Sequence, residues 1–211
     1  MSNAIRQGHP VGLIPVVTID DYRCAPQLVR ALAESGATSI EITLRTPAGF
    51  RAIEAAIEER TLSVGVGTVT TVEDLRRSVD AGVEFVVSPG FRADIADAAR
   101  ELGVLAIPGV ATATEVMMAA ASQVKLVKFF PAAAAGGVTA LRSLAEVFPD
   151  TKFMPTGGIS ADDMRAYLAI DSVVAVGASW LAPRAMIAES RFAEIGAAYA
   201  RSLASVADLI S

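Results

Sequence analysis

Lys128 stands in an apolar run of the sequence, between Val127 and two phenylalanines. A lysine deep in such a run loses hydration, which favours its neutral amine. A neutral amine is a nucleophile for carbonyl carbons, so Lys128 is a candidate for covalent chemistry. The alternative is structural: the ammonium group of a lysine can reach past apolar neighbours to solvent. Lys125, on the opposite face of the run, fits that alternative well.

Glu41 and Arg45 share one face of the run at residues 39–45, and isoleucine and leucine occupy the other face. If this run is a strand of a closed barrel, its apolar face meets helices and its polar face lines the interior. Burying a carboxylate and a guanidinium group there is costly without a function or a partner. A buried ion pair is the alternative, although the two residues lie about 13 Å apart along a strand.

Glycines and hydroxyl groups end three other runs. Gly157 and Gly158 follow one run, Gly177 leads from another into Ser179, and Thr68 ends a Gly-rich run with a hydroxyl. Glycine amides can approach an anion closely, and loops after the last two strands of a (β/α)8 barrel commonly bind phosphate. Each glycine motif alone is ordinary turn chemistry. Together, at these positions, they predict an anionic ligand.

The elements that must position these residues alternate regularly. Apolar, β-rich runs occur at residues 13–19, 39–44, 62–69, 84–87, 104–107, 124–130, 152–154 and 173–176. Stretches with helical periodicity follow them at 26–35, 47–60, 72–81, 93–102, 114–121, 138–148, 161–169 and 193–209. Such alternation predicts a parallel sheet with helical crossovers.

Eight strand–helix units favour closure into a single (β/α)8 barrel domain over residues 1–211, with a leader at 1–10 and a C-terminal helix at 190–211. A doubly wound open sheet is the alternative, but no Gly-x-Gly-x-x-Gly motif opens a helix after the first run. Function in such a barrel is built at the carboxyl ends of the strands.

Composition excludes several classes of protein. With 53% hydrophobic and 19% charged residues, the chain has ample material for a globular core. Its longest charge-free stretches, 102–114 and 129–141, are shorter than the roughly 20 residues of a membrane-spanning helix, so no membrane partner is expected. A net charge of −5 without a basic stripe argues against nucleic acid. A single cysteine allows no intrachain disulfide and favours the cytoplasm.

The scarcity of metal-ligating and histidine side chains narrows the chemistry further. The one histidine, His9, lies in the leader, which disfavours a Ser-His-Asp triad or a histidine metal site. Glu41 is the one acid expected on an inward strand end, whereas a divalent cation needs two or three oxygen ligands. We therefore expect no metal.

Six motifs at the strand ends carry a resemblance to a known family. In order they are Glu41-Ile-Thr-Leu-Arg45-Thr46, Gly65-Val-Gly-Thr68-Val69, Val87-Ser88-Pro89-Gly90, Lys128-Phe-Phe-Pro131, Pro155-Thr-Gly-Gly-Ile159 and Gly177-Ala-Ser-Trp180. Through them, residues 11–187 resemble the 2-keto-3-deoxy-6-phosphogluconate aldolases, class I aldolases of the Entner–Doudoroff pathway. The resemblance implies a homotrimer of barrels and a covalent imine in place of a cofactor.

The resemblance also implies roles for individual residues. Lys128 matches the Schiff-base lysine and Glu41 the general acid and base. The other implied contacts are with substrate: Arg45 and Thr68 hold the pyruvyl carboxylate, Pro89 lines the pocket, Thr156 influences stereochemistry, and Gly157, Gly158 and Ser179 lie at the phosphate end, which Gly177 adjoins.

The expected reaction is cleavage of 2-keto-3-deoxy-6-phosphogluconate to pyruvate and glyceraldehyde 3-phosphate. The galactonate epimer or 4-hydroxy-2-oxoglutarate are alternative substrates within the same class of reaction. A phosphate-binding barrel isomerase or synthase without a Schiff base is the alternative from another class. It would use the glycine loops but leave Lys128 and Glu41 without a task.

Overall fold

Short parallel strands form the inner layer of the structure, a computed structural model that describes residues 10–210. The strands are β1 (Gly12–Val17), β2 (Ser39–Thr43), β3 (Ser63–Gly67), β4 (Phe85–Val87), β5 (Leu105–Ile107), β6 (Gly109–Val110), β7 (Leu126–Phe129), β8 (Lys152–Phe153) and β9 (Ala175–Ala178). The order β5-β4-β3-β2-β1-β9 makes one sheet and β6-β7-β8 another.

The two sheets join into a closed ring. Parallel bridges connect Phe153 to Val173 and Thr156 to Gly177, which links β8 to β9. On the other side β5 and β6 are successive parts of one strand path, interrupted at Pro108, which has no N–H to donate to the ladder. The carbonyl of Pro108 still accepts the Lys128 amide at 2.8 Å. The predicted (β/α)8 barrel is therefore confirmed.

Helices surround the ring. They are α1 (Ala25–Glu34), α2 (Gly49–Glu58), α3 (Val72–Ala81), α4 (Ala93–Glu101), α5 (Ala113–Ala121), α6 (Gly137–Val147), α7 (Met164–Leu168), α8 (Arg184–Ala188) and α9 (Phe192–Ala204). Helix α3 shows why the sequence folds this way locally: the Thr71 hydroxyl accepts from the Asp74 amide at its start, and Gly82 ends it with a φ of 95°.

Apolar side chains form two separate cores. The larger lies between the sheet and the helices and includes Ile40 and Ile42 of β2. The smaller core lies inside the barrel and contains Ile14, Phe85, Val87, Ile107, Leu126, Met154 and Ala175. Side chains of β2 that point away from the helices therefore enter a closed interior, where Ser39, Glu41 and Thr43 are all buried.

Some boundaries differ from the predicted ones. The stretch at 161–169 is helical only over Met164–Leu168, because the Ser160 and Asp163 side chains hold a turn before it. The C-terminal helix spans Phe192–Ala204. Helix α8 and a 3-10 helix at Ser179–Leu181 were not predicted, since both are too short for a periodic pattern.

The predicted leader lies almost wholly outside the described residues. Within residues 10–210, no helix combines the length and the apolar character needed to cross a membrane.

Candidate active site

An ion pair between Lys128 and Glu41 lies inside the barrel. Lys128 Nζ donates to Glu41 Oε1 at 3.1 Å and lies 3.5 Å from Oε2. Lys128 is 4% exposed and Glu41 is 1% exposed. The pair joins the middle of β2 to β7, which lie on different sides of the ring. In this contact a proton can pass from Nζ to Oε1, which leaves a neutral amine and a carboxylic acid with no change in net charge.

Two glycines of β3 make room for this pair. Gly65 and Gly67 are paired with Glu41 and Thr43 of β2, so both face the interior. A Cβ on Gly67 would overlap the Glu41 carboxylate, and a Cβ on Gly65 would overlap the ring of Phe85. The Glu41 carboxylate therefore lies against β3, where Gly65 and Gly67 leave space because they carry no side chain.

Phe130 contributes an aromatic face to the same region. Its ring centroid lies 5.2 Å from Lys128 Nζ, within the range of a cation–π interaction. A positively charged nitrogen on Lys128, whether ammonium or iminium, is stabilised there. Phe130 follows β7 directly, and no signal in the sequence indicated its contact with Lys128.

Arg45 and Thr68 meet at the mouth of the barrel, the end formed by the carboxyl ends of the strands. Arg45 Nε donates to Thr68 Oγ1 at 3.2 Å, and the Arg45 side chain is exposed. Thr68 has a φ of 66°, an uncommon left-handed conformation for a β-branched residue. Such strain tends to occur at functional sites, and here it accompanies a hydroxyl aimed at a guanidinium group. The arrangement offers donors to a carboxylate ligand.

The loop after β8 offers backbone donors. Gly157 and Gly158 have φ values of 98° and 73°, which favour glycine. The loop is held against the loop after β7, since the amides of Ala132 and Ala133 donate to the carbonyls of Thr156 and Gly157 at 2.8 and 3.0 Å. Among residues 10–210, the amides of Gly157 and Gly158 donate to no protein acceptor, which leaves both for an anion.

Thr156, Gly177 and Ser179 lie beside that loop. Thr156 is buried and paired with Gly177, where any Cβ would overlap the Thr156 hydroxyl. Ser179 begins the 3-10 helix directly after β9, and its side chain is exposed. The structure therefore brings Thr156 next to Gly177 and leaves the Ser179 hydroxyl at the mouth.

Pro89 is more loosely connected to the other predicted residues. It lies exposed after β4, and the tight approach of its carbonyl is to the backbone of Gly109, where a Cβ would collide with it. Gly109 is paired with Lys128 across β6 and β7, so the backbone of Gly109 connects Pro89 to the lysine.

A charged pair marks the rim between β1 and α8. Arg184 Nε and Nη2 donate to Asp20 Oδ2 and Oδ1 at 2.7 and 2.5 Å. These hydrogen bonds hold the pKa of the Asp20 carboxyl below its ordinary value. Within residues 10–210, no group of three or more His, Cys, Asp and Glu side chains is placed to hold a metal ion.

Comparison with known proteins gives one consistent family. The family model for KDPG and KHG aldolases matches residues 3–198. A 2-dehydro-3-deoxy-phosphogluconate aldolase of Pseudomonas aeruginosa is 39% identical over 184 residues, covering 87% of this chain and 84% of that protein. A KHG/KDPG aldolase of Escherichia coli is 40% identical over 172 residues, covering 81% of each chain.

A solved structure is similar in fold as well as in sequence. It is a KDPG aldolase from Legionella pneumophila with pyruvate captured at low pH as a covalent carbinolamine intermediate. The TM-score is 0.88 with 36% identity, and the match covers 91% of this chain and 94% of that one.

Proposed function

The chain belongs to the KDPG and KHG aldolase family, and from that membership we propose that it cleaves 2-keto-3-deoxy-6-phosphogluconate to pyruvate and glyceraldehyde 3-phosphate. It is a class I aldolase: the substrate is held as an imine on a lysine, and no cofactor takes part in the reaction.

The buried contact between Lys128 and Glu41 supports this proposal most directly. It combines a nucleophilic amine with a proton carrier 3.1 Å away, in an interior that excludes most water. A phosphate-binding isomerase or synthase without a Schiff base would need neither group. A buried ion pair kept only for stability is a poor explanation, since apolar side chains of similar volume often serve as well.

Covalent bond formation begins the reaction. After its proton passes to Glu41, neutral Lys128 attacks the C2 carbonyl carbon and forms a carbinolamine. Glu41 returns a proton to the departing hydroxyl group, so water leaves and a protonated imine remains. The Phe130 ring, 5.2 Å from Nζ, stabilises the positive charge on this nitrogen.

Bond cleavage then uses the iminium as an electron sink. Glu41, again a carboxylate, removes the proton of the C4 hydroxyl, and the C3–C4 bond breaks. Its electron pair moves to C3 and on to the nitrogen, giving an enamine, and the aldehyde leaves. Protonation at C3 and addition of water release pyruvate and restore the amine of Lys128.

The remaining residues bind the two ends of the substrate. We assign the pyruvyl carboxylate to Arg45 and Thr68, because their side chains already interact at the mouth. We assign the phosphate to the amides of Gly157 and Gly158 and the hydroxyl of Ser179, beside Gly177. We assign the reacting C4 centre to Thr156, which is buried beside Gly177, and the wall of the pocket to Pro89.

The related substrate 4-hydroxy-2-oxoglutarate is a second candidate. The printed name of the Escherichia coli relative includes both KHG and KDPG, and the Schiff-base steps are the same for either substrate. The amides of Gly157 and Gly158, which donate to no acceptor within the described part of the chain, favour the phosphorylated substrate.

We further propose a homotrimer in the cytoplasm. The family resemblance supports the trimer, and Met117 and Met118, 62% and 50% exposed on α5, suit an interface. Cys24, the single cysteine, is half-buried, and burial raises the pKa of its thiol. A single cysteine can form no intrachain disulfide, which suits a reducing compartment. Light scattering should give about three times the chain mass of 21.8 kDa for the trimer.

A panel of substrates tests the proposed function. Steady-state rates are measured on phosphorylated 2-keto-3-deoxy acids of gluconate and galactonate configuration and on 4-hydroxy-2-oxoglutarate, with and without EDTA. We expect the highest kcat/KM on the phosphorylated gluconate acid, unchanged by EDTA. Cleavage of none of these acids, or a loss with EDTA that metal restores, would overturn the proposal.

A further inference from the structure

Two threonine hydroxyls form a short chain at the mouth of the barrel. Thr43 Oγ1 donates to the carbonyl of Val17 at 3.0 Å, and Thr43 Oγ1 and Thr18 Oγ1 lie 2.9 Å apart. A hydroxyl group has one proton, so the Thr43 proton used on Val17 is not available for Thr18. Thr18 is therefore the donor in the second contact. Among residues 10–210 no group donates to the Thr18 hydroxyl, so its lone pairs can accept a hydrogen bond from a ligand.

The strand pattern directs Thr18 into the barrel. Val16 is paired with Glu41, and Ile14 belongs to the interior core, so alternate residues of β1 face inward. Thr18, two residues after Val16, lies one level nearer the mouth and is half-buried. Thr43 occupies the same level on β2, two residues beyond Glu41.

The ring order places Thr18 between the two ends of the proposed site. Strand β1 lies between β2, which carries Glu41 and leads to Arg45, and β9, which leads to Ser179. A substrate that extends from Arg45 on the β2 side to a phosphate near Ser179 on the β9 side passes the mouth end of β1. Thr18 is a half-buried hydroxyl at that position.

The substrate has one hydroxyl group that the proposed mechanism does not use. The carboxylate, the C2 carbonyl, the C4 hydroxyl and the phosphate have partners in Arg45, Lys128, Glu41 and Ser179. The C5 hydroxyl, between the bond that breaks and the phosphate, has none.

We infer that Thr18 accepts a hydrogen bond from the C5 hydroxyl and that Thr43 orients Thr18 for it. The inference rests on the proposed aldolase function and adds a specificity-determining residue to it. Thr43 is a positioning residue, because it acts through Thr18. The two threonines together select aldehydes that carry a hydroxyl group next to the carbonyl carbon.

Paired aldehydes in the synthetic direction test this inference. Pyruvate is combined with glyceraldehyde 3-phosphate or with 3-oxopropyl phosphate, which lacks the hydroxyl that becomes the C5 hydroxyl. Thr18→Val keeps the shape and removes the acceptor. It should lower kcat/KM for glyceraldehyde 3-phosphate by about 3- to 10-fold, the worth of one neutral hydrogen bond, and change that for 3-oxopropyl phosphate less than about 2-fold.

Companion variants separate binding from structure. Thr18→Ser keeps the hydroxyl and should retain the preference for glyceraldehyde 3-phosphate, whereas Thr43→Val should reduce that preference through loss of orientation. Thr139→Val, at an exposed position of α6, is the control. Equal losses on both aldehydes, or no loss on either, would overturn the inference. Trapping of pyruvate on Lys128 in parent and variants is measured alongside, since failure of trapping in the parent would instead overturn the aldolase function.

Discussion

The Glu41 carboxylate occupies the space that a side chain on Gly67 would fill. A Cβ built on Gly67 lies 2.9 Å from both Cγ and Cδ of Glu41 and overlaps Oε1. Glu41 belongs to β2 and Gly67 to β3, so the inner face of one strand is left bare for an acid from its neighbour. The position of the proton carrier therefore depends on the absence of a single methyl group.

Gly67→Ala should lower activity strongly, because the added methyl group would displace the Glu41 carboxylate. Gly67 is outside the left-handed region, so alanine suits its backbone, and the collision is with the Glu41 side chain. Displacement of a catalytic group by about 1 Å can cost about 10²-fold in rate, and we expect a fall in kcat of at least that order. Gly90→Ala is the matched control, because nothing lies within 4 Å of its Cβ position. Normal turnover by Gly67→Ala would separate Glu41 from catalysis.

Glu41→Gln should remove proton transfer and preserve shape. A positioned acid or base is worth about 10²- to 10⁴-fold, so kcat should fall by that factor while pyruvate still forms an imine, more slowly. Pre-steady-state trapping measures imine formation separately from turnover. If Glu41→Gln turns over at the parent rate, another group carries the proton.

Ser179→Ala should impair cleavage of the phosphorylated substrate much more than cleavage of 4-hydroxy-2-oxoglutarate. A hydrogen bond to a charged group is worth about 1.5–3 kcal/mol, so kcat/KM for the phosphorylated substrate should fall by about 10- to 150-fold. The value for 4-hydroxy-2-oxoglutarate should hardly change. A loss of the same size on both substrates would assign Ser179 a structural task at the start of its 3-10 helix.

We expect the free energy of unfolding to decrease at alkaline pH because of the buried phenol of Tyr199. Its hydroxyl donates to the Leu13 carbonyl at 2.9 Å, and burial raises its pKa from 10.0 to about 12. Between these values the unfolded chain has lost the phenol proton and the folded protein keeps it. The free energy of unfolding therefore declines as the pH rises through this range, by up to about 3 kcal/mol.

Urea unfolding of the parent and of Tyr199→Phe at several pH values measures this contribution. The variant should be less stable by about 1 kcal/mol at pH 7, because it lacks the hydrogen bond, and should lose less stability between pH 10 and pH 12. If the free energies of unfolding of the two proteins change in parallel with pH, Tyr199 has the same pKa in the folded and unfolded states, which would contradict this prediction.

The barrel and the inward or outward direction of the β2 side chains could be predicted from the sequence, because both depend on local pattern. Alternation in β2 placed Glu41 on the inner face, and the signals that bound α3, Thr71 and Gly82, lie beside it in the chain. The contact between Glu41 and Lys128 spans 87 residues and depends on ring order, so the residues alone indicated both side chains but not their hydrogen bond.

The sequence did not predict the short helices or the side-chain contacts between strands. Helix α8 has five residues and offers too few positions for a period. The chain of hydroxyls from Thr18 through Thr43 to the Val17 carbonyl needs the register of β1 against β2, which no local pattern fixes. The Gly-rich run that ends at Thr68 is visible in the sequence, but the Glu41 carboxylate that fills the space beside Gly67 is known only from the packed structure.

Reductive trapping of pyruvate shows directly whether Lys128 forms the imine. The protein is incubated with pyruvate and borohydride, digested, and analysed by peptide mass spectrometry, with Lys128→Arg as the control variant. We expect one covalent adduct, on the peptide that contains Lys128, and none in the variant. No adduct in the parent, or an adduct confined to the exposed Lys125, would contradict it.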